Sequence, residues 1–186
     1  ITVRNADGVS TKSRAIIIEG KNSVTIENCT LSGNDQSTKT GSVHSNIMLY
    51  QSTSGDAKEG TSVLTATDCK LISQSGAMFY CTNTSSVINL KSSELILSDD
   101  GGLLIVSKGR WGKDGKNGGK CTFNAVDQAL QGNITVDSIS SLNFNLNNST
   151  FKGAILSEGN VKLTLDSGSK WILTANSSIS SLTGDT

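Results

Sequence analysis

The feature that most constrains the fold is a short motif that recurs along the whole chain. It reads apolar-x-apolar-x-polar-x-x-apolar, and the polar position holds Asn, Asp or Ser in most copies. The copies span residues 1–9, 24–31, 64–71, 88–95, 123–130, 144–151 and 163–171. The first and last of these carry one extra residue. Self-similarity of this kind predicts a repeat architecture in which each unit buries its apolar face against its neighbours.

The spacing of apolar residues inside each copy predicts β-strands. Apolar and polar residues alternate with period two, so that one face of each strand is apolar. A second apolar run precedes most copies, at residues 15–18, 46–50, 77–80, 102–106, 133–136 and 154–156. A third, shorter apolar stretch completes each unit. We therefore expect at least two strands, and a short third one, in every repeat.

The connections between the runs favour parallel stacking. Most steps between copies are about 20 to 24 residues, whereas two steps are longer and are interpreted as single repeats with insertions. The runs are not joined as hairpins by two-residue turns. We predict an all-β right-handed parallel β-helix of about six to seven coils, with neighbouring coils about 4.8 Å apart. Residues 1–186 are expected to form one domain and to be a segment of a longer protein.

Composition and charge exclude several classes of function. The chain has 16 Lys and Arg against 16 Asp and Glu, so no net field favours a nucleic-acid partner. No apolar run is long enough to insert into a membrane. A single histidine and the absence of a Cys-x-x-Cys pair argue against a metal site, and no cofactor is expected. The core must use small aliphatic side chains, since only 4% of the residues are aromatic.

The four cysteines are expected to be buried thiols. Cys29 and Cys69 occupy the same register of neighbouring repeats. Strands in register fix a spacing that strains a disulfide, so we favour stacked free thiols over a bridge. Cysteine content therefore does not indicate the compartment.

A column of short polar residues is predicted at one corner of the stack. The repeat alignment places Asn28, Asp68, Ser92, Asp127, Asn148 and Ser167 one above another. Short polar side chains tolerate a left-handed backbone and can hydrogen-bond along the stack. We interpret this ladder as structural rather than catalytic.

Three insertions are the best candidates for a functional surface, because binding residues tend to lie on loops held by a rigid scaffold. They are residues 33–45, 52–61 and 107–120. The last two leave the same corner two repeats apart, so their bases should be on the order of 10 Å apart. We expect these two to form one surface patch.

The third insertion contains the strongest local charge in the sequence. It carries five Lys and Arg residues against one Asp, with a tryptophan among them. The candidate ligand-binding residues are Asp56, Lys58, Lys108, Arg110, Trp111, Lys113, Asp114 and Lys116. Trp111 can stack on a sugar while the cations hold its hydroxyls or carboxylates. In the alternative interpretation, Trp111 folds back over the strands. Trp171 is expected in the core, and His44 as an ordinary loop residue.

Two other classes of function stay open. A polysaccharide lyase or glycoside hydrolase needs carboxylates that face one cleft. The nearest candidates, Asp99 and Asp100, are adjacent and should point apart. The predicted outward rows contain no acidic cluster for calcium. A structural spacer, or a rod that self-associates through its ends or faces, is the other alternative.

Several stretches resemble bacterial surface proteins with right-handed parallel β-helix repeats, of the kind found in adhesins and autotransporter passengers. They are residues 19–34, 46–56, 110–121, 133–141 and 164–182. The RWG and NIMLYQS segments are the most specific of them. The resemblance implies an extracellular or cell-surface location, a non-enzymatic adhesin-type role, and a glycan or host surface protein as partner. It implies no catalytic residues.

Overall fold

The computed structural model describes residues 1–184, which form 21 β-strands and no helix. No helix capable of spanning a membrane is therefore present in this range. Every strand pairing is parallel, as for example between Ile88 and Phe123. The prediction of an all-β chain built from parallel strands is confirmed.

The strands, numbered along the chain, form four sheets. The eight-stranded sheet contains β1 (Thr2–Arg4), β4 (Ser23–Glu27), β7 (Ser62–Thr67), β10 (Ser85–Lys91), β13 (Lys120–Val126), β16 (Ser141–Asn147), β19 (Asn160–Leu165) and β21 (Ser181–Gly184). The six-stranded sheet contains β3 (Ile16–Glu19), β6 (Ser45–Tyr50), β9 (Ala77–Thr82), β12 (Leu104–Val106), β15 (Ile134–Val136) and β18 (Ile155–Ser157). The four-stranded sheet contains β2 (Asp7–Ser10), β5 (Thr30–Gly33), β8 (Lys70–Ser73) and β11 (Glu94–Ile96). The three-stranded sheet contains β14 (Ala129–Gln131), β17 (Thr150–Lys152) and β20 (Lys170–Ile172).

The chain visits these sheets in a fixed cyclic order. It runs from the eight-stranded sheet to the four- or three-stranded sheet, then to the six-stranded sheet, and returns to the strand beside the one it left. The last passage is shorter, because β20 leads directly to β21. The longest sheet thus takes every third strand from β1 to β19, then β21. This order is compatible with a parallel β-helix.

Alternation along the strands of the eight-stranded sheet places their apolar residues in one interior. Phe123 pairs in register with Phe144, and their rings stack with centroids 5.3 Å apart. Phe79 and Phe151 extend this aromatic row at its two ends. Trp171 packs against the core and donates from its indole nitrogen to the Gly153 carbonyl at 3.0 Å. In-register pairing aligns Phe123 with Phe144 and Phe151 with Trp171, and contacts between sheets join these pairs into one row.

The polar column lies at the corner after the eight-stranded sheet. Its left-handed residues are Asn5, Asn28, Asp68, Ser92, Asp127 and Asn148, with φ between 47° and 53°. Amides in the column bond along the stack, as from Asn148 Nδ2 to Asp127 Oδ1 at 2.8 Å. Ser167 differs from the expected pattern, because its repeat has one more residue. There Asp166 accepts both from the Asn148 backbone N–H, at 3.0 and 3.1 Å, and from the Ser169 hydroxyl.

All four cysteines are buried and unbridged. Cys29 and Cys69 precede Thr30 and Lys70, which pair in register. Burial raises the pKa of the Cys69 thiol. Cys81 and Cys121 meet across the interior with their sulfurs 3.7 Å apart.

Candidate functional site

Three insertions cover part of the outer face of the six-stranded sheet. The first insertion (residues 34–44) joins β5 to β6, the second (residues 51–61) joins β6 to β7, and the third (residues 107–119) joins β12 to β13. Met48 and Tyr80 are adjacent on this sheet, at positions that alternate with core residues, yet each is only 1% exposed. The insertions therefore bury a patch that a bare sheet would expose to water.

The third insertion is held by hydrogen bonds from the sheet beneath it and from a side chain of its own. Tyr80 donates from its hydroxyl to the Lys108 carbonyl at 3.3 Å. The buried Asn117 donates from its amide to the carbonyls of Gly109 at 2.9 Å and Trp111 at 2.8 Å. Gly112 has φ +81°, and a Cβ there would collide with the side chain of Asn83. These constraints fix the backbone on both sides of Trp111.

Trp111 lies on the side chain of Tyr50. The two ring centroids are 4.7 Å apart with planes inclined at 53°, and Trp111 stays partly exposed. The Arg110 guanidinium carbon is 4.4 Å from the centre of the indole ring, within the range of a cation–π interaction. The sequence left open whether Trp111 projects or folds back. It folds back onto Tyr50 and still lines an open cleft.

Tyr50 is held by a carboxylate from the neighbouring strand. Its hydroxyl donates to Glu19 Oε2 at 2.8 Å, and Glu19 Oε1 accepts from the Ser52 backbone N–H at 3.2 Å. Partial burial and this bond to Glu19 raise the pKa of Tyr50 to about 12. The phenol is therefore a neutral donor at every ordinary pH, and Glu19 links the aromatic pair to the second insertion.

The first insertion is anchored by a buried ion pair. Arg14 Nη2 lies 2.7 Å from Asp35 Oδ2, and the two side chains are 10% and 2% exposed. Arg14 also donates to the Ser45 hydroxyl at 3.0 Å and to the Val43 carbonyl at 2.7 Å. Burial lowers the pKa of the Arg14 guanidinium, against the effect of Asp35. The two buried charges are thus compensated by each other and by the hydrogen bonds of Arg14 to Ser45 and Val43, which offset the cost of removing the charges from water.

Two clefts flank the third insertion. The Gly112 cleft, of about 560 Å³, lies between the second and third insertions and is lined by hydroxyl and amide side chains that include Gln51, Asn83 and Thr84. The Arg110 cleft, of about 350 Å³, lies between the first and third insertions and is lined by Tyr50, Arg110 and Trp111 among others. The expectation that the second and third insertions share one patch agrees with the first of these clefts.

The remaining candidate residues lie at exposed positions outside both clefts. Lys108 and Asp114 form an exposed ion pair at 3.4 Å, and Lys113 and Lys116 lie near the tip of the third insertion. Asp56 is exposed and accepts hydrogen bonds from Ser52 and Ser54, of which the Ser54 bond lowers its pKa most. Lys58 contributes its carbonyl to the Lys21 N–H at 2.7 Å, and its side chain is exposed.

The acidic residues considered for catalysis do not form a site with one another. Asp99 and Asp100 lie in the exposed turn between β11 and β12, where Asp100 Oδ1 accepts from the Gly76 N–H at 3.4 Å. His44 is exposed and its Nε2 contacts the Ser37 carbonyl at 2.8 Å. Within residues 1–184, no three His, Cys, Asp or Glu side chains cluster closely enough to hold a metal ion.

The sequence alone did not predict that the first insertion borders the site, or that Trp111 packs on Tyr50. One signal was available. The runs 46–50 and 77–80 are apolar without alternation, whereas the repeat copies alternate strictly. Continuous apolar runs are typical of strands buried on both faces. The runs 46–50 and 77–80 therefore favoured a cover over this sheet, although the equally apolar run 15–18 leaves Ile17 50% exposed.

Comparisons of the chain with models of protein families, with curated proteins and with solved structures find no match.

Proposed function

We propose that this chain is a right-handed parallel β-helix of six complete coils and part of a seventh, and that it binds glycans at a cell surface. The cyclic order of the sheets supports the coil count, since β1, β4, β7, β10, β13 and β16 each open one passage through three sheets, and β19 opens a last passage through two. A right-handed crossover is the rule for parallel strands of one sheet. The resemblance to adhesin-type repeats supports the surface location.

The observation that carries the proposal is the Trp111 and Tyr50 pair between two polar clefts. A sugar ring presents an apolar face of C–H groups and a rim of hydroxyls. A partly exposed aromatic pair offers a complementary apolar wall, and the hydroxyls of Ser37 and Ser42, which line the same cleft, offer hydrogen bonds. Because Asn117 and Tyr80 already fix the loop backbone, little conformational entropy is lost on binding.

A glycan array probed with the wild-type chain tests this function directly. We expect binding to a restricted set of glycans, and we expect Trp111→Ala to weaken it at least about tenfold, as loss of one aromatic contact predicts. Leu156→Ala is the matched control. Leu156 is 48% exposed on the same sheet, three repeats beyond Tyr80.

The array result and one assay of turnover separate the competing functions. Absence of glycan binding, or equal binding by Trp111→Ala and wild type, overturns the proposal. Release of sugar products from a polysaccharide panel would favour a lyase or hydrolase instead. Binding to host proteins stripped of their glycans would favour a protein partner.

A further inference from the structure

We propose that the Arg110 cleft selects acidic sugars, namely units that carry a carboxylate such as uronic or sialic acid. This inference rests on the proposed glycan-binding function and names the class of sugar. The cleft is lined by three apolar or aromatic side chains, Ile17, Tyr50 and Trp111, and by three cations, Lys12, Lys39 and Arg110.

The three cations have no internal partner. Lys12, Lys39 and Arg110 form no salt bridge among residues 1–184. The one acidic residue in the lining, Asp35, is 2% exposed and is neutralised by Arg14 at 2.7 Å. The lining therefore carries three positive charges beyond the Arg14 and Asp35 pair, on a chain whose total charge is zero. Glu19, which accepts from the Tyr50 hydroxyl at 2.8 Å, is a carboxylate just outside the lining.

Arg110 lies against an aromatic ring. Its guanidinium carbon is 4.4 Å from the centre of the Trp111 ring, within the range of a cation–π interaction. The N–H groups of a stacked guanidinium lie in its plane, and so they stay available for a bidentate carboxylate contact.

The size of the cleft suits a single sugar unit. Its volume of about 350 Å³ is at the small end of the range for small-molecule sites. Ser37 and Ser42 supply hydroxyls at the wall formed by the first insertion, where their own oxygens lie 3.0 Å apart. Ile17, which is 50% exposed, adds apolar surface to the wall of the cleft. A long neutral glycan would find its contacts in the larger Gly112 cleft instead.

Matched pairs of glycans that differ only in the acid test the inference. The probes are a galacturonic acid oligomer against its methyl ester, and sialyllactose against the methyl ester of its sialic acid, each titrated calorimetrically into the wild-type chain. We expect the acidic member of at least one pair to bind about tenfold or more tightly than its neutral twin, corresponding to about 1.4 kcal/mol. The two pairs distinguish a uronic acid from a sialic acid as the natural source.

Two variants test whether the cations of the Arg110 cleft cause the preference for acidic glycans. Arg110→Gln and the double variant Lys12→Gln with Lys39→Gln should each reduce the acidic probe to the affinity of its neutral twin. Lys113→Gln removes a charge from the same loop outside the cleft, and should leave both affinities unchanged. All four positions are exposed, so the fold should tolerate these changes, which unfolding curves can verify.

The outcomes separate this inference from the function it rests on. If acidic and neutral twins bind equally, or if Lys113→Gln weakens binding as much as Arg110→Gln, the acidic-sugar inference fails and the glycan function stands. If no glycan binds at all, the proposed function fails as well.

Discussion

The Tyr50 hydroxyl donates a 2.8 Å hydrogen bond to Glu19 Oε2, across neighbouring strands of the six-stranded sheet. An unfolded tyrosine loses its proton near pH 10, whereas the pKa of folded Tyr50 is about 12. Between these values the folded state binds more protons than the unfolded state, so the free energy of unfolding should fall as pH rises.

Ultraviolet titration of tyrosinate, with denaturant unfolding at several alkaline pH values, measures this effect. Tyr50→Phe should remove the highest-pH tyrosine transition and part of the alkaline loss of stability. Tyr80, whose pKa is raised by burial, should supply the rest. A Tyr50 transition near pH 10 in the folded protein would contradict the geometry.

The Arg14 and Asp35 pair should dominate the stability of the first insertion. Asp35→Asn keeps the shape of the side chain but leaves a buried guanidinium without its counter-charge. We expect a loss of about 3 kcal/mol in the free energy of unfolding. Glu94→Gln is the control, because the Lys70 and Glu94 pair is exposed and should contribute less than about 1 kcal/mol. Comparable losses in both variants would argue that Arg14 is solvated.

The corner column predicts a stabilising substitution. Ser92 has φ 47°, and within the described residues its side chain makes no hydrogen bond. Ser92→Asn places a residue that tolerates left-handed backbone beside Asp68, in the arrangement that Asn148 has with Asp127. We expect a gain of about 1 kcal/mol by thermal or denaturant unfolding. Ser92→Ala keeps the strained backbone and should give no gain, and a gain there would point to a different cause.

Asn117 should control the order of the Trp111 segment. Asn117→Asp replaces two amide donors by a carboxylate facing the carbonyls of Gly109 and Trp111. Trypsin should then cleave at Lys113 or Lys116 at least about tenfold faster, because local opening costs less free energy. Asn143→Ala, at an exposed position of the eight-stranded sheet, should cleave at the wild-type rate. Equal rates for Asn117→Asp and wild type would show that other contacts fix the loop.

Local patterns predicted the strands and their direction because both depend on short-range rules. Period-two alternation identifies a strand with one buried face, and Asn, Asp and Ser at fixed spacing identify the corner. The same rules could not find the Trp111 contact with Tyr50, or Arg110 beside the first insertion. Those contacts join insertions from different repeats, so they depend on how the loops pack together and not on any single segment.

Because parallel pairing fixes both ends of the third insertion, the stability of the stacked strands should depend little on the length of this loop. Val106 pairs on one side with Cys81 and on the other with Val136, while Cys121 pairs with Ser86 and Leu142. Both ends of the loop are thus fixed by parallel pairing with strands of the neighbouring coils. Doubling the length of such a loop costs only about 0.6 kcal/mol in closure entropy. Loops of other lengths and sequences should therefore be exchangeable at this corner as long as they still cover Tyr80, which makes the chain a scaffold on which recognition can diversify while the strands stay unchanged.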